Sequence, residues 1–486
     1  MNEQKTPYNQ IDFVIKAPRF RIVFSYMSDK GVAFVREYLL RLLKITPCKP
    51  AQIAQYFGFN QYETEVALAD LEQNKWIVWR DDGLIALSAE GLRLFQNDGQ
   101  DSPQIPTLKE LGGEYRMELL DNNFLQKKDC DKVRQQAIEL DIEPKVLSES
   151  SEIARKSFQN RFRQLMEDDI VEVKNEKGEI EKDISLYKID VIEPKGSPEY
   201  FRFTQAFELL PETGEAKERH DVQTIIHQDN IRQAITAQLE QFGNYDNLRE
   251  LRKSMEEIGD DDTLRVLFGG RFDIIKFKKI QYQFEQEKGL YFLGQIYHQS
   301  KNNKEPQSKN NQEPPDMVFD KIDTILGQLK KTSETKKLYW LAPSDIYWAK
   351  QRKIHDKLQN LVDKQKQGYE FRLYLPLSDK QNQREREKKR WLNEFRDISD
   401  DKILYGFCEG FLNGNTEILL LEDKFAVVCY HAKLTGYPVT LPIGFMTTKT
   451  DKVRHIIELA EKYLNSTIFS DIDEGEKRDF GLLSKR

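Results

Sequence analysis

The stretch from residue 31 to residue 95 limits the fold most, because three helical patterns and a strand pair follow one another with almost no linker. The first helix has apolar residues at helical spacing: Val35, Leu39, Leu42 and Leu43. Two prolines in TPCKP (46–50) end it and suit the first turn of the next helix. AQIAQYFG (51–58) predicts that short helix, and YETEVALADLEQNKW (62–76) predicts a longer one. WIVWRDDGLIALS (76–88) predicts a hairpin, since Asp-Gly fits a tight turn.

This order, closed by a short helix at AEG (89–91), resembles the winged helix-turn-helix family. The resemblance implies that the second helix of the turn pair enters the major groove of DNA and that the hairpin touches the DNA backbone. The side chains that this helix offers are poor partners for phosphate: Gln61, Glu63, Thr64 and Glu65. A winged helix that binds another protein is therefore an equal alternative.

Residues 10–30 alternate apolar and polar side chains and predict an arm that packs on this module as an edge strand. The alternative is a basic arm whose Lys16, Arg19 and Arg21 contact phosphates. After a polar linker at 96–107, residues 108–195 are expected to repeat the module. The repeat is predicted from two helices, a third helix and a wing that turns at Lys177-Gly178: LKELGGEYRMELLDNNF (108–124), DCDKVRQQAIELDI (129–142), SESSEIARKSFQNRFRQLMEDD (148–169) and residues 170–192.

The third of these helices is the best candidate in the chain for binding nucleic acid. Its apolar side consists of Ile153, Phe158, Phe162, Leu165 and Met166. Its polar side consists of Arg155, Lys156, Asn160, Arg161 and Arg163. Arg and Asn can pair with base edges, and Arg and Lys neutralise phosphate. An ordinary solvated helix face is the alternative.

Residues 196–316 predict a mixed α/β segment. A strand pair is expected at 199–215 and two helices at 220–259. His220 and His227 could share a helical face, but no group of carboxylates accompanies them, so a surface role is favoured over metal ligation. Asp260–Asp262 is expected to precede a strand. Gly269-Gly270 lacks the GK[ST] of a phosphate loop and predicts a turn. The last part, 301–316, is polar and rich in Asn and Pro, which predicts a linker or a disordered loop.

Residues 317–466 alternate helix and strand, which predicts an α/β domain with an apolar central sheet, followed by a tail at 467–486. Helices are predicted at 317–331, 348–368, 383–395 and 451–465. Strands are predicted at 337–344, 369–376, 402–407, 416–431 and 438–448.

This order resembles one half of a phospholipase D-like fold. In that family a His and a Lys two residues on begin a strand, with an Asp five residues after the Lys. Thr416, Ile418 and Asp423 stand at these positions, so only the Asp agrees. His431-Ala432-Lys433 supplies the first pair, but Pro438 stands where the Asp is needed. Without a nucleophilic imidazole no phosphohistidine can form, so the resemblance implies an inactive domain.

Two triplets have the ExK ending of metal-dependent nucleases: Glu193-Pro194-Lys195 and Glu422-Asp423-Lys424. Their upstream acid is Asp183 or Asp190 for the first and Asp400, Asp401 or Glu409 for the second. Such a site would require a divalent metal, held by the acids while the Lys positions water. ExK arises easily by chance in a chain that is 32% charged, and the second triplet also suits a plain hairpin turn.

A basic run, KQNQREREKKR (380–390), predicts a helix that is followed by Trp391. Lys388, Lys389 and Arg390 could contact phosphates while Trp391 stacks on a base. A solvated face stabilised by pairing with neighbouring glutamates is equally favoured.

Composition narrows the class of protein. The length of 486 residues allows about three domains. No run of about 18 apolar residues occurs, and MNEQKTPYNQ lacks the pattern of a secretory signal. Four scattered cysteines predict free thiols in a reducing cytoplasm, and the spacing of the six histidines predicts no structural zinc. No cofactor is expected, apart from a divalent metal if the chain is a nuclease. With a net charge of −7, nucleic-acid binding requires a local basic face.

The sequence thus predicts an α+β multidomain chain with five segments: an arm and winged helix (1–95), a second winged helix-like module (108–195), a mixed segment (196–316), an inactive phospholipase D-like domain (317–466) and a tail (467–486). The expected function is that of a DNA-binding accessory subunit in a multi-protein prokaryotic system, such as antiphage or mobile-element defence. Double-stranded DNA and other subunits are the expected partners, with no membrane. The alternatives are an ExK nuclease and a winged-helix transcription regulator whose α/β domain senses a ligand.

Overall fold

The structure is a computed structural model that describes residues 6–31, 34–95, 102–174, 178, 180–181, 184–210, 213–218, 229–243, 246–287, 289–297, 317–329, 335–365, 368–398, 401–465 and 481–483. Several predicted features lie outside these residues: His220, His227, Asp183, Asp400, the linker at 301–316 and most of the tail.

The described strands are β1 (Thr6–Ala17), β2 (Arg19–Gly31), β3 (Ile77–Trp79), β4 (Ile85–Leu87), β5 (Gln104–Met117), β6 (Phe124–Leu125), β7 (Cys130–Asp131), β8 (Ile138–Glu139), β9 (Ile184–Pro194), β10 (Glu199–Leu209), β11 (Ala216–Glu218), β12 (Leu290–Leu293), β13 (Lys336–Leu341), β14 (Tyr369–Leu377), β15 (Leu404–Cys408), β16 (Thr416–Leu421), β17 (Phe425–Ala432), β18 (Leu441–Thr447) and β19 (Gly481–Leu482).

The described α-helices are α1 (Phe34–Ile45), α2 (Pro50–Phe57), α3 (Gln61–Gln73), α4 (Ala89–Arg93), α5 (Pro144–Ser148), α6 (Ser150–Glu167), α7 (Asp229–Gln241), α8 (Leu248–Ile258), α9 (Asp261–Val266), α10 (Ile274–Gln286), α11 (Met317–Gly327), α12 (Lys353–Lys364), α13 (Gln381–Glu394) and α14 (Thr450–Leu464).

The predicted α+β multidomain class is confirmed, because helices accompany several separate sheets and the C-terminal part carries an eight-stranded one. The chain forms two compact units from interleaved segments. The first unit takes residues 1–16, 130–143 and 199–486, and the second takes 17–129 and 144–198. These ranges cut across the five predicted segments, which were separated at linkers.

Residues 34–95 of the second unit form the predicted order of three helices, a hairpin and a short helix, and this stretch is called the first module below. Its core is built from both helices and strands: Leu39, Leu40, Leu43, Cys48, Ile53, Leu68, Leu71, Trp76, Ile77 and Ile85. Two residues of the predicted apolar faces lie outside this core, since Val35 is 45% exposed and Val66 is 52% exposed.

Local signals set the ends of these helices, and those at Pro50 and Gly58 agree with the sequence pattern. Pro50 begins α2, and Gly58 ends it in the left-handed conformation with φ 73°. Asn60 caps α3: its side chain accepts from the Glu63 amide at 2.8 Å, and Glu63 accepts from the Asn60 amide at 2.9 Å. Gly83, with φ 75°, turns the hairpin.

The same unit holds a four-stranded sheet in the order β6-β5-β2-β9. Its strand β2 pairs with β5 from Arg19↔Arg116 to Gly31↔Gln104, and β9 lies on its other side. Helix α6 packs on the sheet, with Phe24 and Phe158 rings 5.3 Å apart. The expected edge position of the arm is therefore wrong, since β2 is an inner strand.

The helix predicted at 108–124 is also wrong, because those residues lie mainly in β5. Gly112 and Gly113 weaken a helix, whereas the long β2 strand offers a complete ladder of hydrogen-bond partners. A second helix-turn-helix with the first module's element order is not found among the described residues of 108–195. The third helix is present as α6, and its predicted apolar face is buried at Phe158, Phe162 and Leu165.

In the first unit, β1 is an inner strand of a sheet ordered β11-β10-β1-β8, and β7 also pairs with β10. The helix predicted at 129–142 is wrong, since this segment contributes only β7 and β8. The buried Arg202 explains why. Its guanidinium donates to the carbonyl oxygens of Val133, Gln135 and Gln136, at 3.2, 2.7 and 3.3 Å. Carbonyls that turn toward a guanidinium cannot accept the bonds of a helix.

The C-terminal sheet has the order β12-β18-β17-β16-β13-β14-β15-β19. Strands β13, β14 and β15 run parallel to their neighbours in that trio, and the other pairs are antiparallel. Helices α11, α12 and α13 bury apolar residues against one face. On the other face, Phe284 of α10 meets Phe445 and Tyr463 of α14 meets Phe407. The predicted alternation of helix and strand in 317–466 is present.

The mixed segment supplies the predicted strand pair, β10 with β11, and two helices, α7 and α8. Gly269 and Gly270 form the predicted turn, with φ of 78° and 79°. Asp260 does not precede a strand: its carboxylate caps α9 by accepting from the Thr263 amide at 3.1 Å. None of the described helices is both long enough and apolar enough to cross a bilayer.

Candidate functional site

Only part of the polar face predicted for α6 is exposed to solvent. Arg155 and Arg161 are half-buried and bonded within their own unit, to the Ile189 carbonyl at 3.2 Å and to the Asn123 side chain at 2.6 Å. Lys156, Asn160 and Arg163 are exposed, so the outward group is smaller than the predicted one. It is called the α6 face below.

Arg163 is 94% exposed, and the ion pair it forms within the described part of the chain is with Glu167 one turn further on, at 3.4 Å. A pair so exposed contributes little free energy and exchanges readily. The guanidinium therefore remains available to an anion in solution.

Several α3 side chains that could have contacted DNA instead form hydrogen bonds within the first module. Thr64 is buried and donates to the Asn60 carbonyl at 2.8 Å, Glu63 belongs to the cap, and Gln61 donates to Glu65 at 3.1 Å. The helix contains four acidic residues and no Lys or Arg between 61 and 73. Its outward side instead shows Tyr62, 75% exposed, and Val66.

Exposed apolar side chains are concentrated in this module. Among the described residues, ten of the 19 exposed large hydrophobic side chains lie in 34–95. They are Phe34, Val35, Tyr38, Ile45, Tyr56, Tyr62, Val66, Val78, Trp79 and Leu92. Single exposed apolar residues are ordinary, but a concentration on one small module is typical of a surface that binds protein.

The first ExK triplet does not gather a metal site from the described residues. Glu193 is exposed, and Lys195 forms an ion pair with Glu114. Asp190, the described upstream acid, accepts from the Ser25 hydroxyl at 2.6 Å and pairs with Lys188 at 2.7 Å. These partners hold the pKa of the Asp190 carboxyl below its usual value.

The second ExK triplet is the turn between β16 and β17. Asp423 adopts φ 56°, and the Lys424 amide donates to the Leu421 carbonyl at 3.1 Å. Glu422 accepts from the Lys337 amide at 3.3 Å, and Asp423 pairs with Lys336 at 3.2 Å. The hairpin interpretation of this triplet is confirmed, and both of its carboxylates are bonded to nearby residues of the adjacent strand.

The basic run forms α13 as predicted. Lys389 and Arg390 are exposed and Lys388 is half-buried. Trp391 is 6% exposed and donates to the Pro376 carbonyl at 3.1 Å, while the Arg390 guanidinium lies 4.6 Å from its ring centre. The expectation that Trp391 stacks on a base is wrong, because the amphipathic helix turns this ring into the core.

The three residues at the positions of the phospholipase D-like motif do not lie together at one site. Thr416 and Ile418 are buried in β16, 2% and 0% exposed, whereas Asp423 lies in the exposed turn. The adjacent residue Glu417, on the opposite face of that strand, is the one that enters a polar cluster.

This cluster is centred on His431, whose side chain is 0% exposed. The imidazole Nδ1 lies 2.7 Å from the Asp345 carboxylate, and Nε2 lies 3.1 Å from the Glu417 carboxylate. Burial alone would lower the pKa of His431, but its hydrogen bonds to Asp345, Cys429 and Glu417 raise that pKa well above its usual value. Both ring nitrogens face carboxylate oxygens, an arrangement that favours the protonated ring.

Neighbouring strands and loops complete the cluster. The indole nitrogens of Trp340 and Trp348 both donate to Oε1 of Glu417 at 2.7 Å. The Thr440 hydroxyl donates to Asp345 at 2.8 Å. Burial raises the pKa of the adjacent Cys429 thiol to about 11. With every member buried, the cluster organises the sheet and offers no approach to a substrate.

One sequence signal could have shown part of this cluster. Glu417 and His431 interrupt strands that are otherwise apolar, and a buried charge requires a partner. Asp345 carries no such signal, since it lies 86 residues before His431. The four cysteines, including Cys429, are free thiols as predicted.

No known family model matches the sequence, and no curated protein matches it significantly.

Proposed function

We propose that this chain is a DNA-binding accessory subunit of a multi-protein prokaryotic system, such as antiphage or mobile-element defence. The α6 face contacts double-stranded DNA, and the first module binds another subunit. The observation that carries the proposal is the α6 face itself: Lys156, Asn160 and Arg163 point outward from a helix whose opposite side is anchored by buried Phe158 and Phe162. Such a rigid basic and amide face suits phosphate and base edges.

The first module is proposed as a winged helix that binds protein. Its element order supports the winged-helix assignment. The acidic charge and exposed Tyr62 and Val66 of α3 favour a protein partner over a DNA groove, because phosphates repel carboxylates.

The C-terminal part is proposed as a phospholipase D-like domain without catalytic function. The predicted succession of helices and strands supports the resemblance. Thr416 and Ile418, buried where the family places its His and Lys, support the loss of chemistry. The system-level assignment rests on this architecture alone, which is analogy of fold.

A transcription regulator would require a ligand pocket in this domain. A cleft of about 270 Å³ lies beside α11 and β18, lined by Asp320, Lys321, Thr324, Ile325, Met446 and Thr448. Its volume is below the usual range for small-molecule sites, so this cleft gives no support to a ligand-sensing domain.

Charge reversal on the α6 face tests DNA binding. We expect the Lys156→Glu/Arg163→Glu variant to bind a random-sequence duplex at least about ten-fold more weakly than the parent. The slope of log affinity against log salt should become shallower by about two, since two phosphate contacts are lost. Fluorescence anisotropy over a salt series measures both quantities.

The matched control is Lys278→Glu/Lys279→Glu, which makes the same charge change at two exposed positions of α10. This control should bind DNA like the parent. Equal weakening by both variants would indicate a nonspecific effect of net charge, and an unaffected α6 variant would remove the proposed DNA contact.

A further inference from the structure

Three side chains of different chemistry meet at one buried point of the eight-stranded sheet. The ligand atoms of Glu417, Cys429 and His431 all lie within 4.8 Å of one another. Carboxylate oxygen, thiolate sulfur and imidazole nitrogen are the three donor types that bind zinc in proteins. We propose that Glu417, Cys429 and His431 form a structural zinc site, contrary to the absence of metal expected from histidine spacing.

The strand register sets the geometry of this site. Glu417 and Cys429 are direct cross-strand partners in β16 and β17, and His431 follows Cys429 by two residues on the same face. The Nε2 and Oε2 atoms are 3.1 Å apart. Zinc bonds of about 2.0–2.3 Å place tetrahedral ligand atoms about 3.3–3.8 Å apart, so a small displacement admits the ion. The Cys429 thiol donates to the Gly294 carbonyl oxygen at 3.9 Å, which places a further oxygen atom beside the three ligand atoms.

The groups behind two of the ligands, His431 and Glu417, orient them as in known zinc proteins. Asp345 holds Nδ1 of His431 at 2.7 Å, which leaves Nε2 to face the metal. Trp340 and Trp348 bind Oε1 of Glu417, which leaves Oε2 to face the same point. A carboxylate behind a ligating imidazole fixes its orientation and raises its basicity.

Charge balance permits the exchange of protons for metal. Both ring nitrogens of His431 face carboxylate oxygens, of Asp345 and Glu417, and the Cys429 sulfur faces the Gly294 carbonyl oxygen, so each of the three ligand hydrogens has an acceptor. With these hydrogens in place, the ring, the thiol and the two carboxylates sum to −1. Zinc binding breaks the N–H bond at Nε2 and the S–H bond of Cys429, forms Zn–N and Zn–S bonds and releases two protons. The neutral imidazole, the thiolate, the two carboxylates and Zn²⁺ again sum to −1, so the buried region gains no net charge.

Metal analysis of the full-length, tag-free chain tests this site. After refolding with Zn²⁺ and removal of loosely bound metal, we expect about one zinc per chain by mass spectrometry of the elements. Cys429→Ala should lose that zinc. Cys408→Ala, the same change at another buried thiol, should retain it.

Cobalt supplies a second readout that depends on the parent protein. Refolding with Co²⁺ should produce a thiolate-to-cobalt absorption band in the near ultraviolet. If Cys429→Ala does not fold, retention of the band by the Cys48→Ala, Cys130→Ala and Cys408→Ala variants identifies Cys429 as its source. A folded parent that binds neither metal overturns the proposal, and so does zinc that a folded Cys429→Ala variant retains.

Discussion

At the scale of single residues, the clearest feature of the first unit is a cation that holds an irregular segment in place. Arg202 is 12% exposed and pairs with Asp12 at 3.3 Å and Asp131 at 3.2 Å. Burial raises the pKa of Asp12, while bonds from Thr204, the Arg352 amide and Arg202 oppose that rise. The Arg202 guanidinium thus balances the charge of the buried Asp12 carboxylate. Its bonds to backbone carbonyls also explain why no helix forms at 129–142.

Removing this cation should be costly. We expect Arg202→Met to lower the free energy of unfolding by about 3–5 kcal/mol at neutral pH, because Asp12 keeps its bonds from Thr204 and the Arg352 amide but loses its buried counter-charge. Urea denaturation measures the change. Arg252→Met is the control: Arg252 is 64% exposed and its ion pair with Glu256 is equally open to solvent, so its loss should remain within about 0.5 kcal/mol.

The same variant should show a pH dependence of known sign. Without Arg202 the pKa of Asp12 in the folded state rises further above the unfolded value of 3.8. The folded state then takes up the proton before the unfolded state does, so stability is regained as pH falls toward that value. If Arg202→Met lost the same unfolding free energy at about pH 5 as at about pH 7, this account would be contradicted.

At the scale of elements, close strand packing requires glycine at one position of the large sheet. Gly444 of β18 is the cross-strand partner of Cys429. A Cβ atom there would overlap the Val428 carbonyl oxygen and the Cys429 Cα atom, both of them backbone. Backbone atoms in the middle of a sheet cannot move aside cheaply.

Two alanine substitutions should therefore have opposite effects. Gly444→Ala should destabilise the chain by about 2–3 kcal/mol through overpacking. Gly327→Ala, at the end of α11 where a Cβ meets nothing within 4 Å, should stabilise it by up to about 1 kcal/mol. Urea denaturation of both variants checks the signs, and a shift in the same direction would show that steric overlap does not decide the result.

At the scale of the whole molecule, the proposed role of the first module depends on its exposed apolar surface. Tyr62 and Val66 lie on α3 beside Glu63 and Glu65. An apolar centre with an acidic rim fits a partner whose surface has apolar anchors and basic neighbours.

Assembly in the native host tests that role. We expect Tyr62→Ser/Val66→Ser to lose partner proteins that the parent retains in crosslinked complexes. Ile275→Ser/Tyr282→Ser, which removes side chains 75% and 64% exposed on α10, should retain them. Loss of DNA contact in the α6 variants should leave this protein assembly intact. Identical partner sets for the two serine variants would exclude the module as the docking surface.

The sequence by itself determined the elements whose signals are local. Helical spacing, Pro50 and the Asp-Gly turn predict the first module within a few residues of its observed ends. The alternation in 317–466 likewise predicts its helices and strands. These signals act over one or two turns of chain, where side-chain spacing and capping decide the conformation.

Only the tertiary structure decided the remaining features. Residues 108–117 are a strand because β2, 87 residues earlier by the register Phe24↔Leu111, supplies their hydrogen-bond partners. Arg155 and Arg161 turn inward because acceptors from β9 and the Asn123 region reach them. Asp345, Glu417 and His431 become one cluster because three separate segments bring their charges into a core that tolerates charge only when it is paired.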